Sequence, residues 1–241
     1  MRAGRWASAT AVRAVLLDAH GTLVELEPPA PALRGLLAAR FEVEVSEREA
    51  AAAIAAEVAH YRAHLDAGRD RPSLEALRAR CAEVLRDSLP QSRRLAAISP
   101  EAMTATLLDS LRFRAFDDVE PALRALRDAG LKLVVASNWD ISLAEVLGRV
   151  GIAGLLDGVV TSAQAGASKP AGAVFAAALT LAGVAAADAV HVGDRIDEDV
   201  AGARLAGIEP ILLRRDGGAG PEGVPTIASL LELRALTSSL R

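Results

Sequence analysis

Ala14-Val15-Leu16-Leu17-Asp18-Ala19-His20-Gly21-Thr22-Leu23 runs from four apolar residues into an acid and then a glycine. A short Val/Leu run bounded by turn residues reads as a strand buried on both faces of a parallel sheet. Asp18 then stands at the carboxyl end of that strand, the edge at which open α/β sheets place their ligands. Gly21 permits the backbone to turn sharply away from the carboxylate. The pattern makes Asp18 a candidate nucleophile, with the rest of the chain positioning a substrate against it.

Downstream, Glu27-Pro28-Pro29-Ala30-Pro31 is expected to break regular structure. From about Ala32 to Arg112 the chain is Ala, Leu, Glu and Arg with helical periodicity and little sign of strands. Ser46 and Glu49 form a capping box opening a helix over Ser46–Ala67, stopped by Gly68. Pro72-Ser73-Leu74-Glu75 starts a second helix, ending before Pro90. Ser99-Pro100-Glu101 starts a third, through about Leu111. From Phe113 strands and helices alternate. The expected strands are Leu131–Ala136, Gly158–Thr161, Ala189–Gly193 and Pro210–Leu213. The expected helices are Pro121–Ala129, Ile141–Val150, Pro170–Leu181, Asp197–Ala206 and Ile227–Leu236. This order specifies an α/β fold, a doubly wound parallel-sheet (Rossmann-like) core over residues 1–26 and 113–241, interrupted by an all-helical module over 27–112.

Four predicted element edges carry reactive groups. Asp18 follows the first strand, Ser137-Asn138 follows Leu131–Ala136, Ser168-Lys169-Pro170 opens a helix, and Gly193-Asp194 follows Ala189–Val192, with Asp197, Glu198 and Asp199 close behind. In a parallel sheet these ends converge on one edge. A hydroxyl, backbone N–H groups and a lysine beside several carboxylates suit a phosphoryl group and a divalent cation. Lys132 and Lys169 are the only lysines in a chain that otherwise uses arginine, which draws attention to each.

Asp18-x-x-Gly21-Thr22, Ser137-Asn138, Lys169-Pro170 and Gly193-Asp194 with Asp199, in that order, resemble the haloacid dehalogenase superfamily of hydrolases, and the helical module resembles its helical cap (subfamily I type). The resemblance covers about Val12 to Leu213. It implies that Asp18 forms an aspartyl-phosphate, that Asp18, Asp194 and the His20 backbone carbonyl ligate Mg²⁺, and that Ser137, Asn138 and Lys169 bind the phosphate. Asp199 would orient Lys169 or reach the metal through water. It further implies a small phosphorylated metabolite as substrate. The family's phosphatases carry a second Asp two residues after the nucleophile, and here that position is His20. Histidine can serve as general acid or base near neutral pH, although a nearby Mg²⁺ disfavours its protonated form. His20 is therefore either the acid–base group or a spacer that uses only its backbone.

Two further functions compete. A metal-independent 2-haloacid dehalogenase tolerates His20 but has no need of Asp194 and Asp199. A degenerate member would bind phosphate and Mg²⁺ and turn over slowly. A phosphonate hydrolase of the family needs a cap lysine, and none occurs from Leu26 to Arg112.

Net charge is −4, and the longest basic runs are the pairs Arg93-Arg94 and Arg214-Arg215, so nucleic-acid binding has no support. Cys81 is the single cysteine, which excludes an internal disulfide and fits a reducing, cytoplasmic setting. No apolar run approaches a membrane span. Arg13 and Asp18 interrupt any signal-peptide pattern, so Met1 to Val12 is expected to be a short unstructured start. The expected state is monomer or homodimer. His60, Tyr61 and His64 form either a substrate-facing patch or plain helix surface, and Trp139 either lines the site or fills the core.

Overall fold

The structure is a computed structural model describing residues 12–239. Of the expected unstructured start, Met1 to Val12, all but Val12 lies outside the described residues. The chain begins with β1 (Ala14–Leu17) and β2 (Val24–Leu26). Five helices follow, α1 (Pro29–Phe41), α2 (Glu47–His64), α3 (Arg71–Ser88), α4 (Arg93–Ala96) and α5 (Pro100–Ser110). Next come β3 (Phe113–Ala115), α6 (Val119–Asp128), β4 (Lys132–Ser137), α7 (Leu143–Arg149), β5 (Gly158–Thr161), α8 (Ser162–Ala165) and α9 (Gly172–Ala182). The chain closes with β6 (Ala189–Gly193), α10 (Ala201–Leu205), β7 (Glu209–Leu213), β8 (Thr226–Ile227) and α11 (Leu233–Ser239).

Two compact units emerge: Leu26–Arg114, and a second built from the chain up to Glu25 together with Ala115 onward. The second holds a six-stranded parallel sheet in the order β5-β4-β1-β6-β7-β8, with helices around it. β1 is central, and all four of its residues are fully buried, as expected for a strand covered on both faces. Leu17 pairs with Val135 of β4 on one side and Val192 of β6 on the other. β4 and β6 run on past the partners of Leu17 to Ser137 and Gly193, so that Asp18, Ser137 and Gly193 meet at one edge. Ala14, Leu16, Val134 and Ala136 pack against Val174, Phe175 and Ala178 of α9.

The helical unit has its own core, including Leu33, Leu37, Leu85, Leu95, Met103 and Leu107. Each such leucine contributes about 1.5–3 kcal/mol through burial. Capping boxes at Ser46 and Asp70 start α2 and α3, and Ser99 caps α5. β2 and β3 pair with each other in a separate two-stranded sheet. Among the described residues no helix is long and apolar enough to cross a membrane.

Several element boundaries differ from expectation. The 27–31 stretch does not break structure but opens α1, with proline in its first turn, where backbone N–H groups have no intrahelical acceptor to lose. β2 and β3 are three residues each, too short to show alternation. Pro170 does not begin a helix: it follows a cis peptide in a turn, and α9 starts at Gly172. The expected helix over Asp197–Ala206 begins as a single wide turn, in which the Val200 N–H reaches back five residues to the Arg195 carbonyl, before α10. Ile227 lies in β8, and the last α-helix starts at Leu233.

Candidate active site

Asp18 leaves β1 with its N–H bonded to the Val192 carbonyl at 2.9 Å. Its side chain is buried, and Oδ1 accepts from Ser137 Oγ at 2.9 Å and Lys169 Nζ at 2.6 Å. Lys169 Nζ also donates to Asp199 Oδ1 at 2.5 Å. Lys169 is 3% exposed, so its ammonium is held almost wholly by these two carboxylates. Burial alone would lower the Lys169 pKa; Asp18 and Asp199 reverse that and push it above the usual lysine range.

Asn138 fixes the Lys169 backbone. Its Oδ1 accepts from Lys169 N at 2.6 Å, and its Nδ2 donates to Lys169 O at 3.1 Å and Glu198 Oε2 at 2.9 Å. Both amide hydrogens are committed. The Asn138 side chain thus braces Lys169, with both of its N–H donors engaged there and on Glu198.

Asp199 is likewise occupied. Oδ1 takes Lys169 and, at 2.9 Å, His191 Nε2; Oδ2 accepts from Arg195 N at 3.0 Å. Burial would raise its pKa, and Lys169 and His191 outweigh burial, holding the carboxyl well below the usual range. Of its two expected roles, orienting Lys169 is the one these bonds serve. His191 belongs to none of the sequence motifs, whereas Glu198 stands among the acids that follow Gly193-Asp194. A histidine within an otherwise apolar buried strand was the available signal for the first. Gly193 makes room for this arrangement, since a Cβ there would fall on the Asp199 carboxyl.

Asp194 completes the cluster. One ligand oxygen each from Asp18, Asp194 and Asp199 lies within 4.8 Å of the others. Asp194 Oδ1 is buried without a hydrogen-bond partner, and a Cβ on Gly21, whose φ is 81°, would strike the Asp194 carboxylate. Burial, then Asp18 and Asp199, push the Asp194 pKa up to about 7. An orphaned buried carboxylate oxygen among hard oxygen donors fits a divalent cation such as Mg²⁺. His20 contributes no side chain to this group; its ring is exposed, tilted 49° to Trp139 with centroids 6.5 Å apart. Trp139 is buried. In the helical unit, His60 and His64 stack at 4.2 Å and Tyr61 packs against the core.

The raised pKa has a sign that melting can test. In the unfolded chain Asp194 ionises near pH 4, whereas in the metal-free folded protein it ionises near 7. The ionised form therefore costs stability above pH 7, and the cost fades as pH falls through 7 toward 4. Asp194→Asn is expected to melt higher than the parent at pH 8 in chelator, by about 1–2 kcal/mol after allowing for solvent around this half-buried group. Thermal melts from pH 5 to 8 check it, with the gap closing at the acid end.

A family model described as haloacid dehalogenase-like hydrolase matches residues 12–207. The chain belongs to the haloacid dehalogenase-like hydrolases. This hydrolase is 31% identical over 210 residues to a glyceraldehyde 3-phosphate phosphatase of Methanopyrus kandleri, covering 85% of this chain and 84% of that protein. It is 40% identical over 110 residues to haloacid dehalogenase-like hydrolase domain-containing protein 3 of Bos taurus, covering 46% of this chain. That match spans 42% of the bovine protein, less than half its length. The solved structure of a 2-haloacid dehalogenase from Pseudomonas syringae aligns with TM-score 0.67 at 25% identity, covering 95% of this chain and 100% of that one.

Proposed function

We propose that this hydrolase is a Mg²⁺-dependent phosphatase of a small phosphorylated metabolite, with residues 27–112 as the family's helical cap. The observation that carries the reading is the convergence of Asp18, Ser137 and Lys169 with the orphaned Asp194 carboxylate. The phosphatase named among the relatives supports it. Asp18, Asp194 and the His20 carbonyl would hold Mg²⁺, and the bound ion supplies positive charge that offsets charge on the phosphoryl oxygens.

A carboxylate oxygen of Asp18 attacks phosphorus, the bond from phosphorus to the ester oxygen breaks, and that oxygen takes a proton as the alcohol leaves. Water then attacks phosphorus and gives up a proton to the now-deprotonated His20, the acyl-oxygen bond to phosphorus breaks, inorganic phosphate departs and the Asp18 carboxylate and His20 are both restored. Ser137 and Lys169 hold the phosphoryl oxygens, and Asn138, Asp199 and His191 keep Lys169 aimed. His20, two residues after the nucleophile with an exposed ring, delivers the leaving-group proton. His20→Ala is then expected to lower kcat by about 10²–10⁴-fold. An unchanged rate removes that role, and a gain in His20→Asp shows a position that had only lost its acid.

Assaying phosphate esters and 2-chloropropionate with and without Mg²⁺ tests the whole reading. Phosphate release that requires Mg²⁺ is expected. Metal-independent chloride release overturns it in favour of a dehalogenase, which His20 favours. Tight vanadate binding with no ester turned over marks the degenerate binding protein.

A further inference from the structure

Arg215 follows β7 and was notable in the sequence only as half of a basic pair. In the fold its guanidinium spreads over three targets. Nη2 donates to the Thr22 carbonyl at 2.7 Å, and Nε to the Gly21 carbonyl at 3.3 Å. Nη1 donates to Asp118 Oδ1 and Oδ2 at 3.0 and 3.1 Å. The cation lies 3.8 Å above the Phe116 ring. Asp118 is itself pinned, accepting from Ser229 Oγ at 2.8 Å and Leu230 N at 2.9 Å. The fork thus fastens the turn after the nucleophile to a rigid anchor in the sheet unit.

That turn has little freedom on its other side. Gly21 N bonds the Val24 carbonyl at 2.8 Å, the N–H groups of Leu23 and Val24 converge on the Ala19 carbonyl, and Gly21 abuts the Asp194 carboxylate. His20 stands at the head of the same turn. The separation between the His20 backbone and Asp194 therefore depends on where Gly21 and Thr22 are held. We infer that Arg215 is a positioning residue that sets the cation site by clamping the Gly21-Thr22 carbonyls from behind. The inference rests on the Mg²⁺ reading above. It needs arginine: a lysine supplies one point charge, whereas this geometry uses donors aimed in separate directions.

The experiment is Mg²⁺ titration of the full chain, read by thermal shift and isothermal calorimetry, with kcat measured alongside. Arg215→Met is expected to raise the Mg²⁺ half-saturation by about 10–100-fold, the usual cost of losing a partner behind the metal ligands, with kcat recovering toward the parent value at high Mg²⁺. A purely structural role would lower the metal-free melting temperature and leave the Mg²⁺ half-saturation where it was. Arg215→Lys keeps the charge beside Asp118, guards against failure to fold, and is expected to weaken Mg²⁺ as well. Arg214→Met, which loses a pairing to exposed Asp216, should bind like the parent. Parental Mg²⁺ affinity in both Arg215 variants overturns the inference. Absence of any Mg²⁺ response in the parent overturns the metal reading and the inference with it.

Discussion

Asp18→Asn is expected to abolish turnover, with kcat falling by about 10⁴-fold or more, the scale on which covalent enzymes lose rate when the nucleophile is removed. The amide cannot form the acyl-phosphate bond. It keeps an oxygen where Ser137 and Lys169 now donate, and Asp199 still balances Lys169. Folding should therefore survive, and melting should move little. Phosphate release measured with saturating Mg²⁺, beside circular dichroism of the same preparation, checks both halves. A folded variant that still hydrolyses ester at a parental rate removes Asp18 as nucleophile.

Lys169→Met should be damaging in two separable ways. Its ammonium lies between Asp18 and Asp199, almost wholly out of water. Removing one partner of such a pair leaves uncompensated buried charge and costs about 3–5 kcal/mol. For a chain of this size that is a fall of about 10 °C in Tm. Turnover should fall by about 10³-fold or more, because Lys169 is the cationic side chain bonded to the Asp18 nucleophile and so placed to meet the phosphoryl oxygens. Adding Asp199→Asn separates the two effects. It removes one orphaned charge and should restore part of the melting temperature, while activity stays lost. Recovery of activity in the double variant would show that Lys169 matters only for holding the fold together.

Much of this arrangement is legible in the amino-acid sequence. Asp18, Ser137, Lys169 and Asp194 each follow a recognisable strand or turn signal, and parallel sheets bring such ends to one edge. The exceptions share a physical cause. Asn138 reads as a phosphate ligand by its place after Ser137, and nothing local shows that its amide meets the backbone of Lys169, a residue 31 positions away. His191 resembles a misplaced polar residue in a strand until Asp199 is seen 2.9 Å from its Nε2. The proline run at 27–31 is ambiguous locally, because the same residues that interrupt a helix also suit its first turn.

By itself the sequence determined the α/β class, the helical module and the acid at the end of β1, since burial periodicity, capping residues and glycine placement are local properties. The tertiary structure alone decided how the groups at that edge divide their work. Lys169 is shared between Asp18 and Asp199, Asp194 keeps an oxygen without a partner, and Arg215 reaches back 193 and 194 residues to Thr22 and Gly21. Hydrogen bonds and charge balance depend on distances of about 3 Å between residues far apart in the chain, and no local pattern encodes those distances.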